Sequence, residues 1–225
     1  TYADILINAV TIFKERSDKF FILPAGLDNA AANTANSIRY DTYIQRMNKA
    51  RPGIFNLIDG WTSHAYPNPD FSSVPQKSGY NKIDSYKYDL KLLAKLGYKK
   101  NLPVFITETG WKNDRLPEST IGSYYKYAFE NIWNDNRIVM VAPFILKAGT
   151  PPFDSFSLIN KDGTYTESFT TLQKYASSGE PKLDLEQYSP QLLGARISND
   201  LPPESSLQYK PNVFKKIIQF IFDLF

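Results

Sequence analysis

The run Leu102-Pro-Val-Phe-Ile-Thr-Glu108-Thr-Gly-Trp111 carries an apolar stretch straight into a carboxylate. An ionised carboxylate at the rim of a dry strand is costly unless it is paired or put to use. Two readings follow: Glu108 pairs with Lys112 or caps the next helix, or it is a reactive group. Upstream, Ser63-His64-Ala65-Tyr66-Pro67 sets an imidazole and a phenol two positions apart, on one side of an extended chain. Taken alone, His64 reads as a structural histidine. Beside Glu108, the two side chains would hold the carboxylate ionised and oriented, and Trp111 would supply a flat ring for stacking. Asp28, Asn29 and Lys147 also fall at strand ends, where parallel α/β folds collect their reacting groups. These seven positions are candidates for a sugar-binding subsite.

The elements that must position them alternate. Apolar spacing predicts helices over 2–16, around Ile38–Met47, over 83–98, over 117–133 and, more weakly, over 165–176. Between them, Phe20–Leu23, Phe55–Ser63, Leu102–Thr107 and Ile138–Leu146 read as strands apolar on both faces. Buried strands separated by amphipathic helices imply a parallel sheet covered by helices. Either an open doubly wound sheet or part of a (β/α)8 barrel fits, and no glycine-rich phosphate loop follows any strand. Lys87, Lys91, Lys95 and Lys99 recur every four residues, as on a solvated helix face. The loop from Pro67 to Tyr80 is long enough to line a cleft. A polar, proline-punctuated stretch over 179–211 reads as a linker or wrapping tail. Residues 212–225 form an amphipathic helix pattern shorter than the roughly 20 residues that span a bilayer; a docked helix and a weak membrane contact are both open to it.

Composition narrows the classes. The 225 residues are 42% hydrophobic and 22% charged, as in an ordinary globular protein. A net charge of +3 from 26 basic and 23 acidic residues gives no concentrated stripe for nucleic acid. No cysteine and one histidine exclude disulfides, thiolate metal sites and any site built on two imidazoles. Scattered carboxylates lack metal-ligand spacing, so no metal or cofactor is expected. Fifteen Tyr, fifteen Phe and three Trp are enough for a stacking surface as well as a core. The chain opens on Thr1, and the expectation is a piece of a longer product.

With Ser-His64-Ala-Tyr66-Pro at one strand end and Ile-Thr-Glu108-Thr-Gly-Trp111 at the next, the chain resembles the retaining glycoside hydrolases of the large (β/α)8 clan. That clan holds endoglucanases, mannanases, β-xylosidases and β-galactosidases. The resemblance covers about residues 1–178. It implies an α/β fold whose parallel βα repeats are strands five to eight of a TIM barrel, followed by an irregular tail. It also implies Glu108 as the nucleophile, His64 and Tyr66 contacting it and the sugar, and a β-linked oligo- or polysaccharide substrate. The clan's acid/base glutamate follows an asparagine at the fourth strand, and no Asn-Glu dipeptide occurs here. That residue is therefore expected on an N-terminal half-barrel supplied in cis or in trans. The clan's tryptophan at the end of the eighth strand is also missing from Val139–Lys147. An extracellular or cell-surface location follows from the substrate class. A non-catalytic glycan-binding or scaffold domain is the second reading.

Overall fold

In the computed structural model, residues 1–177 are described; the expected linker and the 212–225 helix lie outside them. Helix α1 (Tyr2–Arg16) buries Ala3, Leu6 and Val10, and α2 (Tyr40–Ala50) buries Tyr40, Ile44 and Met47. They are followed by β1 (Trp61–His64), α3 (Tyr86–Lys95), β2 (Val104–Thr109), α4 (Glu118–Asn131), β3 (Ile138–Pro143) and α5 (Glu167–Ser177). The strands are parallel, in the order β1-β2-β3. Strand and helix alternate as the hydrophobic pattern requires.

The sheet has three strands among the described residues, not the four expected. The run Phe20–Leu23 joins no ladder, and neighbouring side chains take hydrogen bonds from its centre and from the residues just after it. Ile22 gives its N–H to the carboxylate of Asp59 at 2.7 Å, and Ala25 gives its own to the Tyr2 hydroxyl at 2.5 Å. Pro24 has none to give. What remains toward β1 is a lone parallel bridge between Asp28 and His64. The expected strand over Phe55–Ser63 also begins late. Residues Ile54–Asn56 form a 3-10 turn, with Ile54 and Phe55 buried, and pairing starts at Trp61. Gly60 precedes it, where a Cβ would stand 2.8 Å from Leu23 Cδ2. In the Ile138–Leu146 run the strand ends at Pro143, and Ile145 makes an isolated parallel bridge to Ser157.

One sheet face is covered. Val104 and Ile106 pack with Tyr86, Ile121, Tyr125, Ala128 and Trp133. A second cluster joins α1 and α2 to Ile54, Phe55, Ile58, Trp61 and Leu93. The opposite face carries Phe105, its register partner Met140, and Phe21, whose ring lies 5.5 Å from Phe105. Phe21 and Met140 are 37% and 40% exposed, so this apolar face lacks a full cover. Of the predicted lysine stripe, Lys91, Lys95 and Lys99 are exposed and Lys87 is half-buried. No helix among the described residues is long and apolar enough to cross a membrane.

Asp89 ties α3 to β1 from beneath the site. Its buried carboxyl accepts from Trp61 Nε1 at 3.0 Å and Ser63 Oγ at 3.2 Å. Burial, opposed by these two hydrogen bonds, pushes its pKa up from 3.8 to about 7. The folded state therefore holds this proton to higher pH than the unfolded chain. The contribution of Asp89 to stability thus falls as pH rises from about 4 to about 7. Denaturant titrations across that window should show the decline, and Asp89→Asn should flatten it. An unchanged slope in the variant would mean that Asp89 is not the group responsible.

Candidate active site

The site begins with strand register. His64 pairs with Glu108, after a shift between Ser63 and His64 that re-aims the end of β1. Two further bonds lock the strand ends together: Ala65 N–H donates to Glu108 O at 2.9 Å, and Thr109 Oγ1 donates to Ala65 O at 2.7 Å. The chain then turns tightly, Tyr66 N–H donating to His64 O at 3.1 Å, which brings the phenol back over β2.

The Tyr66 hydroxyl donates to Glu108 Oε2 at 3.0 Å. His64 Nδ1 stands 3.5 Å from the same oxygen, longer than an ordinary hydrogen bond. Glu108 Oε1 takes no hydrogen bond from the described residues, and the side chain is 34% exposed. Burial, reinforced by the negative charge of Glu108, drives the Tyr66 pKa far above its usual 10.0, so the phenol stays protonated and acts as a donor. Burial also lowers the His64 pKa below 6.5, against the upward pull of Glu108 and Asp28. Near neutral pH the imidazole is uncharged. Glu108 thus meets a hydroxyl dipole and a neutral ring rather than a cation, and one of its oxygens remains open.

The other expected positions divide. Asp28 stands at the rim, bridged to His64, with Oδ1 accepting the Ala30 N–H at 2.8 Å; its charge reaches both His64 and Tyr66. Asn29 is buried, donating to Tyr66 O at 3.2 Å and accepting from Asn68 at 3.0 Å. It supports the tyrosine rather than reaching outward. Lys147 is exposed, and the charge it acts on is Asp162. Trp111 is a correction. It is 2% exposed, with Nε1 donating to Ser73 O at 2.8 Å and its ring nearly perpendicular to that of Tyr125 at 5.0 Å. A ring so enclosed is core and offers no sugar platform.

Aromatic residues not foreseen take up the surroundings. Phe71, Phe144 and Phe156 stand edge-on around the Tyr66 ring at 5.0, 6.2 and 6.0 Å. Lys112 Nζ lies 5.8 Å from both Phe71 and Phe156, so the lysine weighed as a Glu108 partner sits over rings, and its ion pair is with Asp114 at 3.6 Å. Asp70 and Phe71 have φ of 54° and 56°, conformations that side-chain-bearing residues seldom adopt and that gather at functional loops. The signals were the long Pro67–Tyr80 loop and the aromatic Phe144 at the end of β3.

The chain matches no protein-family model and no curated protein. Among solved structures it is similar to a family 39 glycoside hydrolase from the gut symbiont Bacteroides cellulosilyticus WH2, at 19% identity and a TM-score of 0.41. That match covers 61% of this chain and 30% of the other. It is also similar to a triple-mutant endo-β-1,4-glucanase from Xanthomonas axonopodis pv. citri, at 16% identity and a TM-score of 0.49, over 79% of this chain and 55% of that one. The chain therefore spans at most about half the length of either. The likeness to TIM-barrel glycoside hydrolases is distant and partial.

Trp111→Ala should destabilise the fold by about 3–5 kcal/mol, the cost of emptying a buried indole site. Chemical denaturation measures it, and a loss near zero would contradict the core assignment. Glu108→Gln should lower the His64 titration midpoint further, since it removes the charge that favours imidazolium; proton NMR of the only histidine reads this directly.

Proposed function

We propose that the chain is one half of a retaining β-glycoside hydrolase in which Glu108 is the nucleophile. The observation that carries this reading is the hydrogen bond from the Tyr66 hydroxyl to Glu108 Oε2 at 3.0 Å, at the carboxyl end of parallel strands, with Oε1 open. One oxygen is held by the phenol and flanked by the imidazole, which fixes the carboxylate plane. The other is free to attack an anomeric carbon. A carboxylate that accepts a hydrogen bond suits nucleophilic attack, and the protonated phenol keeps donating as charge leaves the carboxylate.

Retention needs a second carboxyl about 5–5.5 Å from the first, to protonate the leaving oxygen and later activate water. In this reading it resides on an N-terminal half-barrel, in cis or in trans, which also covers the exposed face at Phe21 and Met140. The substrate is a β-linked oligo- or polysaccharide, placing the enzyme outside the cell or on its surface. The aromatic edge of Phe144 and Phe156 beside Tyr66 replaces the expected tryptophan as the apolar wall.

The test avoids the need for the acid. A dinitrophenyl glycoside fluorinated beside the anomeric carbon loses its phenolate without protonation and leaves a long-lived glycosyl-enzyme. Incubating the chain with gluco-, xylo-, manno- and galacto-configured versions, then mapping the adduct by peptide mass spectrometry, should place the sugar on Glu108. Glu108→Gln should abolish labelling, and Tyr66→Phe should slow it by roughly tenfold or more, as loss of one charge-assisted hydrogen bond implies. A label on any other residue would overturn the nucleophile assignment. Glycan binding without any covalent adduct would favour the non-catalytic reading.

A further inference from the structure

We infer that Gly26 is the seat of His64: a positioning residue whose missing side chain lets the imidazole lie flat enough on the backbone to flank the nucleophile. The inference rests on the proposed role of Glu108 but is read from a different contact. A Cβ built on Gly26 would stand 2.0 Å from His64 Nε2, 2.1 Å from Cδ2 and 2.9 Å from Cε1. Even the longest of these is closer than real Cβ contacts come, so the ring and a side chain at position 26 exclude one another.

Backbone conformation does not demand the glycine. The positive-φ glycines are Gly53, Gly97 and Gly163, and Gly26 is not among them. Close approach is the remaining reason. Nor can the segment retreat from an added methyl. Pro24 O accepts from buried Thr62 Oγ1 at 2.6 Å, Ala25 N–H is fixed to the Tyr2 hydroxyl at 2.5 Å, and Asp28 is bridged to His64 two residues on. With the backbone pinned on both sides, the imidazole must be the part that moves. Glu108 Oε2 stands 3.5 Å from Nδ1, so a ring pushed off Gly26 must also shift against the carboxylate it flanks. The charged and titratable groups that act on it are Glu108 and Asp28, with Tyr66 joined to it through Glu108.

Because the chain has one histidine, its titration can be followed without assignment. In the parent, burial holds the midpoint below 6.5. In Gly26→Ala the displaced ring gains water, and the midpoint should climb toward 6.5. Labelling of Glu108 by the fluorinated glycoside should slow on the order of 10²-fold, the usual effect of misplacing a site group by about an ångström. A merely structural glycine would lower the melting temperature without moving the histidine titration. Should Gly26→Ala fail to fold, Gly26→Ala combined with His64→Ala decides: removing the ring should restore folding, because the three nearest atoms to the added methyl all belong to that ring. A double variant as unstable as Gly26→Ala itself, or a single variant with unchanged midpoint and labelling rate, would overturn the seat. If the midpoint climbs while neither parent nor variant labels, Gly26 seats His64 and the nucleophile reading fails instead.

Discussion

A single oxygen, Glu108 Oε2, receives the Tyr66 hydroxyl at 3.0 Å and faces the His64 ring at 3.5 Å, and the rest of the described structure bears on that convergence. It requires β1 and β2 to run parallel in a register that sets residue 64 opposite residue 108. It requires the chain after His64 to turn at once, so that a residue beyond the strand returns over the neighbouring one. Burial of the imidazole adds to this, since it lowers the His64 pKa and leaves the ring neutral near neutral pH. Replace the phenol or the imidazole by a charged partner and the carboxylate would be neutralised as an ion pair instead of being oriented with one oxygen free.

Support for this arrangement comes in layers. Asp89 joins α3 to Trp61 and Ser63, just before His64, so the helix fixes the strand whose end carries the imidazole. Asn29 and Asn68 meet at Tyr66 O and brace the phenol from its backbone side. Phe71, Phe144 and Phe156 close around its ring. Trp111 serves the same end indirectly. Anchored in the core by its indole N–H, it holds Ser73 and with it the loop that delivers Phe71.

Much of this was legible in the sequence, and the reasons for the exceptions are physical. The helices were readable because burial of one face imposes a 3.6-residue period, which survives even where ends shift by a few residues. The Glu108, His64 and Tyr66 grouping was readable because parallel strands bring their carboxyl ends side by side. Phe20–Leu23 misled because strand propensity is local, whereas the Ile22 N–H at its centre was claimed by Asp59 from elsewhere in the chain. Trp111 misled because spacing along a loop does not fix where a ring points; a carbonyl 38 residues away did. Gly26 gave no signal, since nothing local announces that an imidazole will rest on it. The apolar face at Phe21 and Met140 has the hydrophobicity of an interior, and the described residues leave it partly open.

The most direct measurement is a crystal structure of the protein after reaction with the fluorinated glycoside. The account requires a covalent bond from Glu108 Oε1 to the anomeric carbon, with Oε2 still within hydrogen-bond distance of the Tyr66 hydroxyl and the His64 ring still against Gly26. A sugar bonded to another residue, or a Glu108 carboxylate turned away from Tyr66, would contradict it.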